Sequence, residues 1–254
     1  MYLEKLSLKG RTALVTGGGG GIGVAICEAL AEAGARVIIA NSDERVAENG
    51  RQALRDKGHA SDVVIFDVTD AAGVTVTADR LAATGAGVDI LVCNAGISRS
   101  EVPAEAMSDA QWLDVIDVNL NGLYWCCRAF GRHMLEAKRG AIVNIGSISG
   151  LIVHKPQGQI SYNASKHAVH HLTKSLAAEW ADRGVRVNAV APTYINTPMT
   201  EFAKSNAALY GAWMEGTPMA RVGTVEEIAS IVHFLVSDAA SLMTGSVVVA
   251  DGGY

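Results

Sequence analysis

Residues 16–23 read TGGGGGIG, and their reading decides the fold. They follow Thr12, Ala13, Leu14 and Val15, an apolar run of the kind that forms a buried parallel strand. They precede VAICEALAEAG, whose small and apolar residues suit a helix closing at Gly34. Within a strand–turn–helix context, glycines let the backbone approach a pyrophosphate without Cβ interference, and exposed amides at the helix start attract its negative charge. Gly17, Gly21 and Gly23 are the spaced positions, with Gly20 and Ile22 as further candidate contacts. Five consecutive glycines alone would equally suit a flexible surface turn; the flanking strand and helix favour the dinucleotide reading.

Working outward, apolar strand candidates recur at 12–16, 36–40, 63–66, 88–93, 141–146, 185–190 and 246–250, separated by helical stretches. Seven strands alternating with helices predict a single α/β domain, a Rossmann-type doubly wound parallel sheet covered on both faces. No linker, repeat or composition break divides residues 1–254. Ligands of such sheets lie beyond the carboxyl ends of the strands, where the glycine turn, Asn94, Ser147 and Pro192 should converge.

The segment YNASK, residues 162–166, opens a helix read through Val169, Leu172, Leu176 and Trp180 and stopped by Gly184. Spacing of four sets Tyr162 and Lys166 on one helix face. A phenol ionises near pH 10, so bringing it to neutrality requires about 4 kcal/mol of preferential phenolate stabilisation. Lys166 and a positively charged oxidised nicotinamide are the available sources, and such tuning is what a general acid or base needs. As an isolated pair, Tyr and Lys four apart are also routine surface neighbours.

Further segments carry a resemblance along essentially the whole chain: FDVTD at Asp67, CNAG at 93–96, DVNLNG at Asn119, IVNIGSISG at Ser147, VNAVAPTYINTPM at 188–199 and the ending ADGGY. In this order, with the glycine turn and YNASK, they resemble the short-chain dehydrogenase/reductase family. The resemblance implies a catalytic tetrad of Asn119, Ser147, Tyr162 and Lys166. Ser147 would hydrogen-bond the substrate oxygen, Tyr162 exchange its proton, Lys166 lower the phenol pKa and bind the nicotinamide ribose, and Asn119 hold a water linking Lys166 to solvent. It also implies cofactor contacts from Asn41, Asp67, Val68, Asn94, Ala95, Gly96, Pro192, Ile195 and Thr197. Without that pattern, Ser147 could cap a turn and Asn119 could bend a long helix. Two departures stand out: Thr193 where relatives carry Gly after the proline, and a loop between Ser147 and Tyr162 about two residues longer than the family pattern.

Asn41 closes the second strand where an acidic residue would bind the adenosine ribose and repel a 2′-phosphate. Asp43 and Glu44 follow at once, with Arg45 the nearest cation, so NAD is favoured and NADP stays open. Residues 197–221 predict a helical substrate lid in which Met199, Phe202, Tyr210, Trp213 and Met214 either line a pocket or pack the segment onto the body. Ser149 and His154 resemble positions that touch hydroxyl-rich substrates in polyol dehydrogenases of the family, and with Ser147, Tyr162 and Trp213 they are the candidate substrate contacts. His154 could equally be a solvated loop residue.

Composition agrees. Hydrophobic residues make up 49% of 254 and charged ones 19%, enough for a core on both sheet faces, and a net charge of -5 offers no basic footprint for nucleic acid. No stretch approaches a membrane span and MYLEKLSLKGR lacks a signal-peptide core, so a cytoplasmic protein is expected. Cys27, Cys93, Cys126 and Cys127 have no metal-site spacing and read as core residues, with a regulatory thiol at Cys93 as the alternative. No metal is expected. The small residues Ala129, Ala168 and Ala177, on helices expected near 108–137 and 160–182, suggest the helix pairing that makes relatives homotetramers. Three functions follow: a dehydrogenase of polyols, sugar alcohols or small carbonyl compounds; a 3-oxoacyl carrier-protein reductase, which would want a basic docking patch; and a non-catalytic dinucleotide-binding sensor, which would be expected to lose Tyr162 or Lys166.

Overall fold

Side chains of successive strand residues point to opposite faces, so a strand apolar at every position needs helices on both sides. The computed structural model, which describes residues 1–99 and 102–254, satisfies that demand with one all-parallel sheet of seven strands in the order β3-β2-β1-β4-β5-β6-β7. The strands are β1 Thr12–Thr16, β2 Arg36–Asn41, β3 Ser61–Ile65, β4 Ile90–Cys93, β5 Gly140–Ile145, β6 Val185–Pro192 and β7 Val247–Ala250. Each lies within two residues of its expected start. Val15, Ile39, Val92 and Val143 pack on one face against Ile26 and Leu30 of α1 (Gly21–Glu32) and Val232 and Leu235 of α8 (Val225–Val236). Leu14, Ile38, Leu91 and Ile142 pack on the other against α3 (Ala71–Ala83), α5 (Leu123–Glu136) and α6 (Ile160–Trp180). Strand order reverses between β1 and β4, whose C-terminal residues Thr16 and Cys93 pair in register, and a ligand crevice opens there.

The remaining helices are α2 (Glu44–Asp56), α4 (Asp109–Ile116) and α7 (Ala207–Gly216). The long helix expected near 108–137 is α4 and α5 joined without a break by a wider π-type turn, Asp117–Gly122. Gly122 there lies so close to Val68 that a Cβ would sit 2.8 Å from its side chain. Helix α6 runs on into a 3-10 turn, Ala181–Arg183, which stops, as the sequence implies, at Gly184 in the left-handed region with φ 82°. The residues 197–221 form a short 3-10 turn, Glu201–Ser205, followed by α7. One expectation is corrected: Ala129 and Ala177 face the core rather than the surface, because their helices use their smallest residues to approach the sheet. The outward apolar residues of α4 and α5 are Trp112, Leu113 and Tyr124. Among the described residues no helix is long and apolar enough to cross a membrane.

Candidate active site

The glycine turn is built by close approach. Gly17 and Gly21 have φ of +62° and +54°, and a Cβ on Gly23 would lie 2.1 Å from the Gly17 carbonyl oxygen. Gly20, by contrast, faces open space at the N-cap of α1. Asn94 ties the turn to the end of β4: its amide nitrogen donates to the carbonyls of Thr16 (3.0 Å) and Gly17 (3.1 Å), and Thr16 Oγ1 accepts from the backbone of Asn94 and Ala95. The result is one cavity of about 570 Å³. Its walls carry Gly17, Gly20, Gly21, Ile22, Asn94, Ala95, Gly96, Pro192, Ile195 and Thr197 at one end and Ser147, Ser149, His154, Tyr162, Lys166 and Trp213 at the other.

These residues fit a dinucleotide. The amides that open a twelve-residue helix border the cavity, Gly20 leaves the space a side chain would fill, and Thr193 Oγ1 is buried on the wall with no hydrogen-bond partner. Thr193 also keeps the strand path intact, its N–H donating to Ala250 at 3.1 Å. Four expected contacts lie off the cavity wall. Gly23 is behind the turn, Asn41 at the end of β2 accepts from the Asp43 amide at 3.1 Å, and exposed Asp67 accepts from Thr69, with Val68 beside it against Gly122. Asp43 caps α2 through the Val46 amide, and Arg45 projects into solvent 3.9 Å from it.

Tyr162 and Lys166 share a face of α6 as their spacing requires, the ammonium 5.6 Å from the phenol ring centre. Lys166 is buried and donates to the Ile145 carbonyl at 2.7 Å; burial brings its pKa down to about 8. Burial pushes Tyr162 above its ordinary value, and a hydrogen bond with Ser147 acts the other way. Ser147, at the end of β5, also accepts from the Ser149 amide at 3.1 Å. Asn119, fully buried in the π-type turn, sits behind the cavity. Its oxygen accepts from the Ile97 amide (2.8 Å), and its nitrogen donates to Ile97 O (2.9 Å) and Ser165 Oγ (3.2 Å). The amide oxygen and one amide hydrogen therefore pin the chain after Gly96 while the other hydrogen reaches α6, and a Cβ on Gly96 would lie 3.6 Å from Lys166 Nζ.

The far wall holds a polar network that the sequence only partly announces. His154 is 5% exposed, not a solvated loop residue, and burial pushes its pKa down. Its Nδ1 is 2.9 Å from the Tyr194 hydroxyl and 3.4 Å from Gln159 Nε2, and its Nε2 is 3.0 Å from Ser149 Oγ. Burial raises the Tyr194 phenol, so it keeps its proton, and the Gln159 amide also donates; Nδ1 accepts, and Nε2–H donates to Ser149. Gln159 Nε2 gives Ser149 Oγ a second donor at 3.3 Å. With both acceptor sites filled, the Ser149 hydroxyl hydrogen is free for the cavity. Trp213 stacks on Tyr194 at 3.9 Å and donates to Gln157 at 2.9 Å. Met199 and Phe202 complete the wall, whereas Tyr210 and Met214 pack behind Trp213.

The family model described as enoyl-(acyl carrier protein) reductase matches residues 17–254. The chain belongs to the short-chain dehydrogenase/reductase family, and is an oxidoreductase acting on CH–OH groups with a nicotinamide dinucleotide. It is 55% identical to the galactitol 2-dehydrogenase of Rhizobium johnstonii, covering 100% of this chain and 98% of that one. It is 47% identical to the L-tagatose-forming galactitol 2-dehydrogenase of Cereibacter sphaeroides, with the same coverage. The crystal structure of a gluconate 5-dehydrogenase from Burkholderia cenocepacia in complex with NADP and tartrate superposes with a TM-score of 0.94 at 36% identity, covering 100% and 98% of the two chains. A 3-oxoacyl-[acyl-carrier-protein] reductase of Chlamydia muridarum matches at a lower 39% over 97% of this chain and 98% of that one.

Proposed function

We propose that the chain is a polyol dehydrogenase. It oxidises one secondary hydroxyl of a sugar alcohol to a ketone with NAD, and reduces the corresponding ketose in reverse. When bound, the dinucleotide supplies the hydride acceptor or donor. Tyr162 exchanges the proton with the substrate oxygen, Ser147 donates a hydrogen bond to that oxygen, and the Lys166 ammonium and Asn119 hold the surrounding backbone and the proton path. A phenol raised by burial is a proton donor at neutral pH, so ketose reduction is favoured there and polyol oxidation gains as pH rises. Ser149, supported by His154 and Gln159, donates to a second substrate hydroxyl.

The observation that carries this reading is the convergence of Ser147, Tyr162 and Lys166 on one cavity that also holds the polar group Ser149–His154–Gln159, in which the Ser149 hydroxyl hydrogen is left free. The likeness to two galactitol 2-dehydrogenases supports the substrate class. NAD is favoured by Asp43 and Glu44 just after β2, with Arg45 turned to solvent, while Asn41 at the strand end can bond the ribose but brings no charge against a 2′-phosphate. The enzyme is taken as a cytosolic homotetramer, and residues 197–221 as its substrate lid. The test is a scan of sugar alcohols, ketoses, cyclic ketones and 3-oxoacyl thioesters against both dinucleotides at the reduced-nicotinamide absorbance. Preference for thioesters over every polyol and ketose would sink the substrate reading, and a higher kcat/KM with NADP would sink the cofactor choice.

A further inference from the structure

Of the three histidines on helix α6, all unused by the chemistry above, two reach the turn holding Ser147. His167 Nδ1 is 2.7 Å from the Gly150 carbonyl oxygen, which can only accept, so Nδ1 carries a hydrogen and donates. His170 Nε2 is 3.4 Å from the Ser147 backbone nitrogen, which can only donate, so Nε2 is bare and accepts. The two ends of the turn are thus gripped with opposite polarity, three residues apart on one helix.

The turn is shaped to receive His170. A Cβ on Gly146 would lie 2.2 Å from His170 Nε2, and one on Gly150 would lie 2.8 Å from its Cε1. Glycine on either side of Ser147 therefore admits the ring. His170 is buried, and burial together with Lys166, His167 and Lys174 holds its pKa down to about 4, keeping the acceptor nitrogen bare. Its other nitrogen, Nδ1, is buried without a partner, a destabilising arrangement that packing alone would not favour.

We propose that His170, with His167, is a positioning residue for the reaction: the pair fixes the Ser147 turn against α6, so the helix that presents Tyr162 also sets the height of Ser147 above it. Both reacting side chains are then referenced to one rigid element, and their spacing is insulated from movement of β5. The inference rests on the proposed role of Ser147 in polyol oxidation.

The test compares each histidine with a variant that removes the polar atom and one that restores it. H170F keeps a ring but loses the acceptor, and H170Q returns an acceptor at the ε position; H167L loses the donor, and H167N returns one at the δ position. With galactitol or the substrate the scan identifies, H170F should lose about 10- to 100-fold in kcat, while KM and the dinucleotide Kd stay within about threefold, since a misplacement of roughly 1 Å costs up to that much. H170Q should return to within about threefold of the parent. Folded H170F with near-parental kcat, or H170Q as poor as H170F, overturns the proposal. If H170F does not accumulate folded, exposed His167 decides: H167L and H167N with equal kcat overturn it, and recovery in H167N supports it. S147A, run alongside, separates the two layers. Near-parental turnover in S147A removes the role of Ser147 itself, whereas loss in S147A with none in H170F removes only the clamp.

Discussion

Replacing Ser149 with alanine probes the substrate wall without touching a reacting group. In the parent, Ser149 Oγ accepts from His154 at 3.0 Å and Gln159 at 3.3 Å, so its own hydrogen is directed at the cavity and at a substrate hydroxyl. S149A removes that one neutral hydrogen bond, worth about 0.5–1.5 kcal/mol, or roughly 2- to 12-fold in kcat/KM. It also leaves the His154 Nε2–H without its acceptor, a desolvation cost of about 1–3 kcal/mol to be seen in the melting temperature. The kinetic loss should depend on substrate. A hexitol, which presents a second hydroxyl to Ser149, should show it; a simple cyclic alcohol, which presents none, should be turned over as before. The assay is initial-rate kinetics on both alcohols at saturating dinucleotide. Equal losses on the two substrates, or none on either, would refute the reasoning that Ser149 reads a second hydroxyl.

Further predictions concern the chemistry and the frame. Tyr162→Phe should cut turnover by about 10²- to 10⁴-fold with dinucleotide binding, followed by fluorescence titration, nearly unchanged. Gly23→Ala drives a Cβ to 2.1 Å from the Gly17 carbonyl, so it should lower stability by about 1–3 kcal/mol and abolish tight dinucleotide binding, as measured by urea unfolding and titration. His170 is held at about 4 against an ordinary 6.5, a depressed value whose contribution is complete above pH 6.5 and lost as pH falls through 4. Its share is about 3 kcal/mol, so the stability of the parent relative to H170F should fall by about that amount across this window. Light scattering should report four chain masses, with an exposed Trp112 or Leu113 changed to Glu giving smaller species.

Much of the frame was legible because it is local. TGGGGGIG between an apolar strand and a helix, seven apolar runs and a Tyr and Lys four apart all express backbone or helix periodicity, and the sheet and cavity follow from them. What escaped depends on side chains meeting across long separations. Tyr194 meets His154 forty residues away, and Trp213 meets Gln157 fifty-six away; neither pairing has a periodic signature. The inward turn of His154 is held by Tyr194, Ser149 and Gln159, partners that the sequence does not set around it. The π-type turn that buries Asn119 is one extra residue in a helical run, invisible to a 3.6-residue pattern. Gly146 and Gly150 were a usable clue: two glycines framing a serine imply that something bulky lies against the turn, here the ring of His170. The setting of the phenol is not legible for a related reason: helical spacing brings Lys166 to the same face as Tyr162 but does not say that one of its hydrogens goes to the Ile145 carbonyl.

The four cysteines are all buried; Cys93 and Cys127 touch sulfur to sulfur at 3.8 Å, burial pushes the Cys27 thiol up, and the contact with Cys127 together with burial pushes Cys93 up. A thiol that is both inaccessible and protonated is a poor nucleophile. The native enzyme is therefore a silent background for maleimide chemistry. A single cysteine engineered at Val153, 77% exposed and next to inward-facing His154, would carry the whole label and report through its fluorescence when the pocket fills.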